Sequence, residues 1–563
     1  MDYQLRYLGR SSVEQGPYRS MISFAPNLAR ERVWFDGELR DPLRFREAMS
    51  ALHEVVVGDH RFQRRDKSAY EQWKKQKIVE EVELRKTLLD KARVMAAQEI
   101  AKQGIPADLE PEFRRLHKKY WAARVQWANE LAKNDPAMFR ALVPCDPVIS
   151  VADDVVFFEA FSKDESSYGC LYVDREGFTG AQDAGLGTTN VDYSMALYER
   201  FQALRTYRTT RLHLDPRGFD VAVQGLSDYR EEKIDLPPSW LRGFGQISAT
   251  SGLARHTIEL DTPTLYSLLV FLKRNREKTG PRAIVFELRR GQPPTLVIQP
   301  WGLRLVSRGR AYEGAQDEDV KVWGRRRLSV LARLLPMIEH VEVQLLGNGL
   351  PSLWIAKMGE MRFVLALSGW TTNDWTAGTG LDLLAGAISS DAATRDRLWS
   401  YLRGARLADR TTLASELGKK ESEIAGDLHQ LGREGQLLYD PATRGYRFRQ
   451  VVDIPEARKV MTAEPPELAK GKELFLGARV SMSKTDTVPG GKRYLAAKIA
   501  GETCEAIVDA DGVMTRAKCS CHHFFKNALR AGPCRHLLAL RLTAFGGDAL
   551  RLESASLGGG FIH

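Results

Sequence analysis

Between residues 519 and 536 the chain reads Cys519-Ser-Cys521, then twelve intervening residues, then Cys534-Arg-His536. No other segment limits the possible folds so tightly. Three thiols and an imidazole arranged as two short pairs can close a tetrahedron around a zinc ion, provided the pairs sit on separate elements. Four protein donors leave no position for water, so such an ion holds a fold rather than activating a nucleophile. The flanking sequence supplies the elements. Arg493 to Ile499, Glu505 to Val508 and Val513 to Lys518 are short β-type runs, separated by the turn signals Ala500-Gly501 and Asp509-Ala-Asp-Gly512. Gly532-Pro533 interrupts the chain, and Leu537, Leu538, Leu540, Leu542 and Phe545 follow at mostly helical spacing. The first pair is therefore expected to leave a strand end and the second to open a helix. One structural zinc on Cys519, Cys521, Cys534 and His536 is the expectation, with His522 and His523 read as part of the spacer.

A β-meander, Cys-x-Cys, a variable spacer and Cys-x-His at the start of an apolar helix resemble the SWIM zinc finger. The resemblance implies a module that family members use for contacts with DNA or with proteins. The run from Val33 to Val57, VWFDGELRDPLRFREAMSALHEVVV, is similar to the opening segment of large bacterial SWIM zinc finger proteins, in which a long N-terminal region precedes the finger. Such proteins are often encoded beside a MoxR-type AAA ATPase and a von Willebrand factor A protein, which implies protein partners of those kinds. The chain's own residues carry no P-loop, so any ATP hydrolysis is expected of a partner.

At 563 residues the chain is too long for one core, and about three to five domains are expected. A hydrophobic content of 43% with 27% charged residues is that of ordinary soluble protein. No run approaches a membrane span and the N-terminus lacks a signal-peptide core, so a cytoplasmic location is expected. Four of the six cysteines fall in the last sixty residues, three of them as ligands; Cys145, Cys170 and Cys504 read as isolated, which argues against a disulfide scaffold. A net charge of +10 permits nucleic-acid contact without demanding it.

The pattern predicts an α+β multidomain chain. Residues 1–65 read as an α+β segment, with a strand at Val33 to Asp36 and a helix from Pro42 started by Asp41. Residues 66–147 read as a long helical hairpin whose mixed charges are a solvated face. Residues 148–385 are strand-rich, with helix-plus-hairpin repeats: helices near Leu265 and Leu328 each precede a hairpin, at 294–306 and 351–364. Residues 470–563 form the finger, reached through a linker containing Pro455, Pro465 and Pro466. No metalloprotease motif or nucleophile elbow occurs, and no small-molecule substrate is evident, so the chain is expected not to be an enzyme.

Residues 390–450 resemble a winged helix: helices at Asp391 to Leu402, from a cap at Thr411 or Thr412 to Gly418, and at Glu421 to Glu434, then a hairpin of Gln436 to Tyr439 and Tyr446 to Arg449. The third helix opens with Glu421, Glu423 and Asp427, which suits base edges and phosphates poorly. The wing is basic, and Arg444, Arg447 and Arg449, with Lys518, Lys526, Arg530, Arg535 and Arg541 around the finger, are the candidate phosphate contacts. The leading expectation is a zinc-binding adaptor that docks proteins; the alternatives are a DNA-binding protein and, behind it, a nuclease or transposase-like enzyme.

Overall fold

The computed structural model describes residues 33–58, 147–180, 184–190, 209–214, 238–276, 282–369, 391–452, 466–477, 479–488, 492–508, 514–529 and 532–545, the strands at 12–15 and 19–24, and scattered positions at 87–119, 201–207 and 375. The chain divides into two compact units. One comprises residues 1–60, 144–219 and 233–563, the other 61–143 with 220–232. In the second unit positions 87–88 and 90–95 are helical; the rest of the predicted helical hairpin lies largely outside the described residues.

Helix and sheet are mixed throughout the larger unit, in five separate sheets among the described residues. The largest is antiparallel and runs, in spatial order, His256–Asp261, His340–Leu345, Ser352–Met358, Met361–Leu367, Ser167–Asp174, Val155–Phe161, Val148–Val151 and Gly187–Asn190. Its sixth strand, Val155–Phe161, is buried at every residue, as expected of a strand covered on both faces. The helix Pro42–Val57 covers one face: Phe45 meets Phe158, and Leu52 and Val55 crowd Gly169, where a Cβ would stand 3.1 Å from each. The helix Pro238–Ala249 covers the other, through Trp240 and Phe244 on Phe161. Asp41 caps the first helix, accepting from Arg44 N at 2.9 Å. The strand before it, Trp34–Leu39, runs on past Asp36 through Gly37, beyond the expected Val33 to Asp36.

The hairpin at 294–306 belongs to a four-stranded sheet, Leu303–Val306, Thr295–Ile298, Ile284–Leu288 and Glu318–Val322, and the one at 351–364 to the eight-stranded sheet. Thr262–Arg274 is α-helical, capped by Asp261. Its expected counterpart at Leu328 is instead the 3-10 helix Arg325–Arg333. There Arg327 is buried and donates to Ser368 Oγ at 3.1 Å, to Gly369 O at 2.9 Å and to Ser166 O.

In residues 391–452 the helices Ala392–Ala405, Arg410–Leu417 and Glu421–Arg433 enclose Leu398, Leu402, Leu413, Ile424, Leu428 and Leu431. A three-stranded sheet follows the order Leu407–Asp409, Gly445–Phe448, Leu437–Asp440. The second helix is capped by Asp409, through Thr412 N at 2.7 Å, and not by Thr411 or Thr412. A carboxylate meets a helix N-terminus with more charge than a hydroxyl does, so Asp409 wins the position.

The C-terminal sheet is an antiparallel meander of Val480–Val488, Lys492–Ile499, Glu502–Val508 and Met514–Cys519. Ala500 and Gly501 turn it with positive φ at both positions, a two-residue hairpin loop. Helix Arg535–Phe545 packs on the sheet and against helix Pro466–Leu476, where Gly471 admits Leu538: a Cβ there would lie 2.9 Å from Leu538 Cβ. Pro466, expected in a linker, is thus the first residue of a helix belonging to this module, as its fixed φ allows; Pro455 and Pro465 lie outside the described residues.

Candidate metal centre

Each ligand pair stands at the start of a helix. Cys519 ends the strand Met514–Cys519, and Cys521 caps the helix His522–Asn527, its sulfur accepting from Phe524 N at 3.5 Å. Cys534 immediately precedes helix Arg535–Phe545, and its carbonyl accepts from Leu538 N at 3.0 Å. Unpaired N–H groups at such ends favour thiolates, so backbone geometry prepares both pairs for a cation.

One donor atom from each of Cys519, Cys521, Cys534 and His536 falls within 4.8 Å of the others. The three cysteines are buried and His536 is half-buried. Cys519 Sγ lies 3.8 Å from His536 Nδ1, against about 3.5–3.8 Å for neighbouring donors of a tetrahedral zinc site with bonds of about 2.0–2.3 Å. A set of three soft sulfurs and one imidazole, with no carboxylate, suits zinc rather than magnesium or calcium. The residues therefore fit one zinc ion, with all four positions filled by protein. Neither His522, which is exposed, nor His523 joins the set.

Arg535 orients the second pair. Glu467 accepts from Arg535 N at 2.8 Å, from Nε at 3.2 Å and from Nη2 at 2.6 Å, so one carboxylate caps the helix and pins its guanidinium. Burial acts to raise the Glu467 pKa, but the hydrogen bonds from Arg535 outweigh it and hold the carboxyl below its usual range.

Cys504, expected to be isolated, stands beside the ligands. It is buried, directly opposite Cys519 on the adjacent strand, with the two sulfurs 3.5 Å apart. Hydrogen bonds from Cys504 and then Cys534 hold the Cys519 thiol well below its ordinary pKa, while the neighbouring Cys519 pushes that of Cys504 upward. Symmetric pairing about the turn signal Asp509-Ala-Asp-Gly512 would put position 504 across from 517; the register shift at Ile507/Val508 moves its partner to Cys519, which spacing alone does not announce.

The cationic candidates fare differently. Arg447 and Arg449 are 1% and 0% exposed, so the expectation that they reach phosphates is corrected. Arg447 donates to Asp440 Oδ2 at 2.8 Å and to both oxygens of Asp154 at 2.8 Å. Arg449 donates to Glu159 Oε1 at 2.9 Å, and Tyr168 OH satisfies the other Glu159 oxygen at 2.8 Å. The Arg449 guanidinium also lies 4.0 Å from the Phe244 ring centroid. Both arginines thus fasten the hairpin to the eight-stranded sheet, where a buried carboxylate demands a partner. Arg541 is buried as well, which corrects its expected role, and Arg535 is engaged by Glu467. Arg444, Lys518 and Lys526 are exposed; Arg530 lies outside the described residues.

The acids of the third helix also have local duties. Glu423 accepts from Lys420 N at 2.7 Å and Glu421 from Thr411 OH at 2.7 Å. The helix packs closely on Pro238–Ala249: a Cβ at Gly432 would stand 2.6 Å from Ser248 Cβ, and one at Gly245 2.8 Å from Arg433 Cγ.

The fold and site define a mixed helix-and-sheet, multi-sheet protein with a C-terminal Cys3His cluster. No family model matches the chain. No curated protein matches it. Among solved structures it is similar to the crystal structure of Proliferating Cellular Nuclear Antigen from Entamoeba histolytica, at 13% identity and a TM-score of 0.27, over 40% of this chain and 89% of that one. At that score the likeness bears on neither fold nor function. No helix among the described residues is long and apolar enough to cross a membrane.

Proposed function

We propose that the chain is a zinc-binding, non-enzymatic adaptor of the SWIM type, whose winged-helix-like segment and finger serve protein contacts. The observation that carries this reading is the closed Cys3His set within 4.8 Å, a site built to hold a module together. The winged-helix reading is supported by the succession helix, strand, two helices and hairpin, with the first strand joining the hairpin in one sheet. Docking of proteins rather than DNA is favoured by the loss of Arg447 and Arg449 into buried ion pairs and by the close packing of the third helix on Pro238–Ala249. The helix-plus-hairpin repeats belong to the same reading as a scaffold. Partners of the MoxR-type AAA ATPase and von Willebrand factor A kinds follow from the family resemblance, and a cytoplasmic setting is part of the same proposal.

Zinc content and unfolding test the first part. The purified chain is expected to carry one equivalent of zinc, and Cys534→Ala to lose both the metal and the thermal transition of residues 466–545, since structural zinc supplies on the order of 10 kcal/mol. A variant keeping its zinc and its melt would overturn the ligand assignment. A second reading, DNA binding at the finger, draws on the exposure of Arg444, Lys518 and Lys526. Titration of duplex and single-stranded DNA across a salt series separates the two: the adaptor reading expects no binding at low salt.

A further inference from the structure

We propose that Cys504 and Cys519 form an oxidation site, at which a small hydroperoxide converts the two sulfurs into a cross-strand disulfide and dismantles the metal centre. The consequence for the metal rests on the zinc reading above; the pair itself is set by the sheet. Cys504 and Cys519 are direct partners in neighbouring antiparallel strands. Ser520 N donates to Thr503 O at 3.1 Å, so 503 and 520 carry the ladder bond and 504 and 519 form the adjacent non-hydrogen-bonded pair. That is where antiparallel backbones come closest, about 4.5 Å between Cα atoms, inside the roughly 4.4–6.8 Å that a disulfide spans. The sulfurs are already 3.5 Å apart, whereas the ligand set spreads to 4.8 Å. A tetrahedral site has its four donors without Cys504, which leaves a surplus thiol in contact with a ligand.

The chemistry balances with a hydroperoxide as oxidant. The Cys519 thiolate attacks the terminal oxygen; the S–O bond forms, the O–O bond breaks, and the departing alkoxide takes the Cys504 proton to become an alcohol, or water from hydrogen peroxide. The Cys504 thiolate then attacks the sulfenic sulfur, the S–S bond forms and hydroxide leaves. Two sulfurs give up two electrons and the peroxide accepts them. In the product Cys519 no longer offers a thiolate, three donors remain, and affinity for zinc falls. Because both sulfurs are buried, a molecule the size of hydrogen peroxide is the fitting oxidant, while a bulky disulfide is excluded.

The test treats the zinc-loaded full-length chain with graded hydrogen peroxide, follows zinc release with a chromogenic chelator and maps disulfides by mass spectrometry of unreduced digests. A Cys504–Cys519 disulfide should appear in step with zinc release and revert with dithiothreitol. Cys504→Ser should bind one equivalent of zinc yet release it about tenfold more slowly, having lost its positioned second thiol. A first disulfide joining two ligands, such as Cys519 to Cys521, overturns the proposal, as does release from Cys504→Ser at the parent rate. Should that variant fail to fold, the map of the parent chain decides alone. If the purified chain holds no zinc, the zinc reading fails, and mapping the metal-free chain still tests the pair.

Discussion

Arg449 and Glu159 face each other at 2.9 Å with no exposure on either side chain. Such a pair adds little net stability, yet removing one member strands a charge and costs about 3–5 kcal/mol. Arg449→Met is therefore expected to destabilise the chain by that amount in urea unfolding at pH 8. Burial already pushes the Glu159 pKa upward, with Arg449 and Tyr168 opposing it; without the arginine it rises further. A folded carboxyl that holds its proton more tightly than the unfolded one gains stability as pH falls, so the deficit should shrink at pH 5.5. Adding Glu159→Gln should recover part of it. Asp261 carries the opposite sign. Burial would raise its pKa, but Thr264, Arg308 and Ser307 donate to it and hold it low. Its contribution is complete above the unfolded value of about 3.9 and is lost as pH falls through the folded one. Asp261→Ala should cost about 1–2 kcal/mol at pH 7 and progressively less below pH 4.

The helix Glu421–Arg433 meets the helix Pro238–Ala249 across glycines, and their spacing is set by the absence of Cβ atoms at Gly245 and Gly432. Gly432→Val is expected to drive the helices apart at a cost of about 1–3 kcal/mol or more, read as a lowered melting temperature. Gly404, in the helix Ala392–Ala405, has nothing within 4 Å of an added Cβ, so Gly404→Ala should raise stability by about 0.4–1 kcal/mol. Those two glycines look alike in the sequence, and only the neighbour distinguishes them. Legibility followed the same division. The helices of residues 391–452, the finger strands and the four ligands could be read because helical period, period-two alternation and ligand spacing are local. The 3-10 turn at Arg325–Arg333 was not, because the burial of Arg327 depends on carbonyls that accept from it at Ser166 and Gly369, loop residues far away in the chain. Nor was Cys504, whose place beside Cys519 depends on strand register and not on spacing.

At the scale of the whole molecule, charge that looks available in the sequence is largely committed. Of the eight nominated cations, Arg447, Arg449 and Arg541 are buried and Arg535 is paired, which leaves Arg444, Lys518 and Lys526 exposed among the described residues. If the full chain does bind duplex DNA through these residues, log K should fall against log salt with a slope no steeper than about −3, and replacing all three by Ala should flatten it. Fluorescence anisotropy across 50–300 mM salt measures this. Arg449 finds its carboxylate 290 residues away, and Arg447 adds Asp154, 293 residues away, to Asp440 only seven residues off, so the chain near Arg449 does not announce that it is spoken for. The same distance has a practical edge. Residues 391–452 invite excision as a tidy fragment, but the cut would discard Asp154 and Glu159, baring Arg449 and leaving Arg447 with Asp440 alone. A fragment so made would acquire a cationic surface absent from the intact protein, and any affinity it showed for DNA would belong to the scissors.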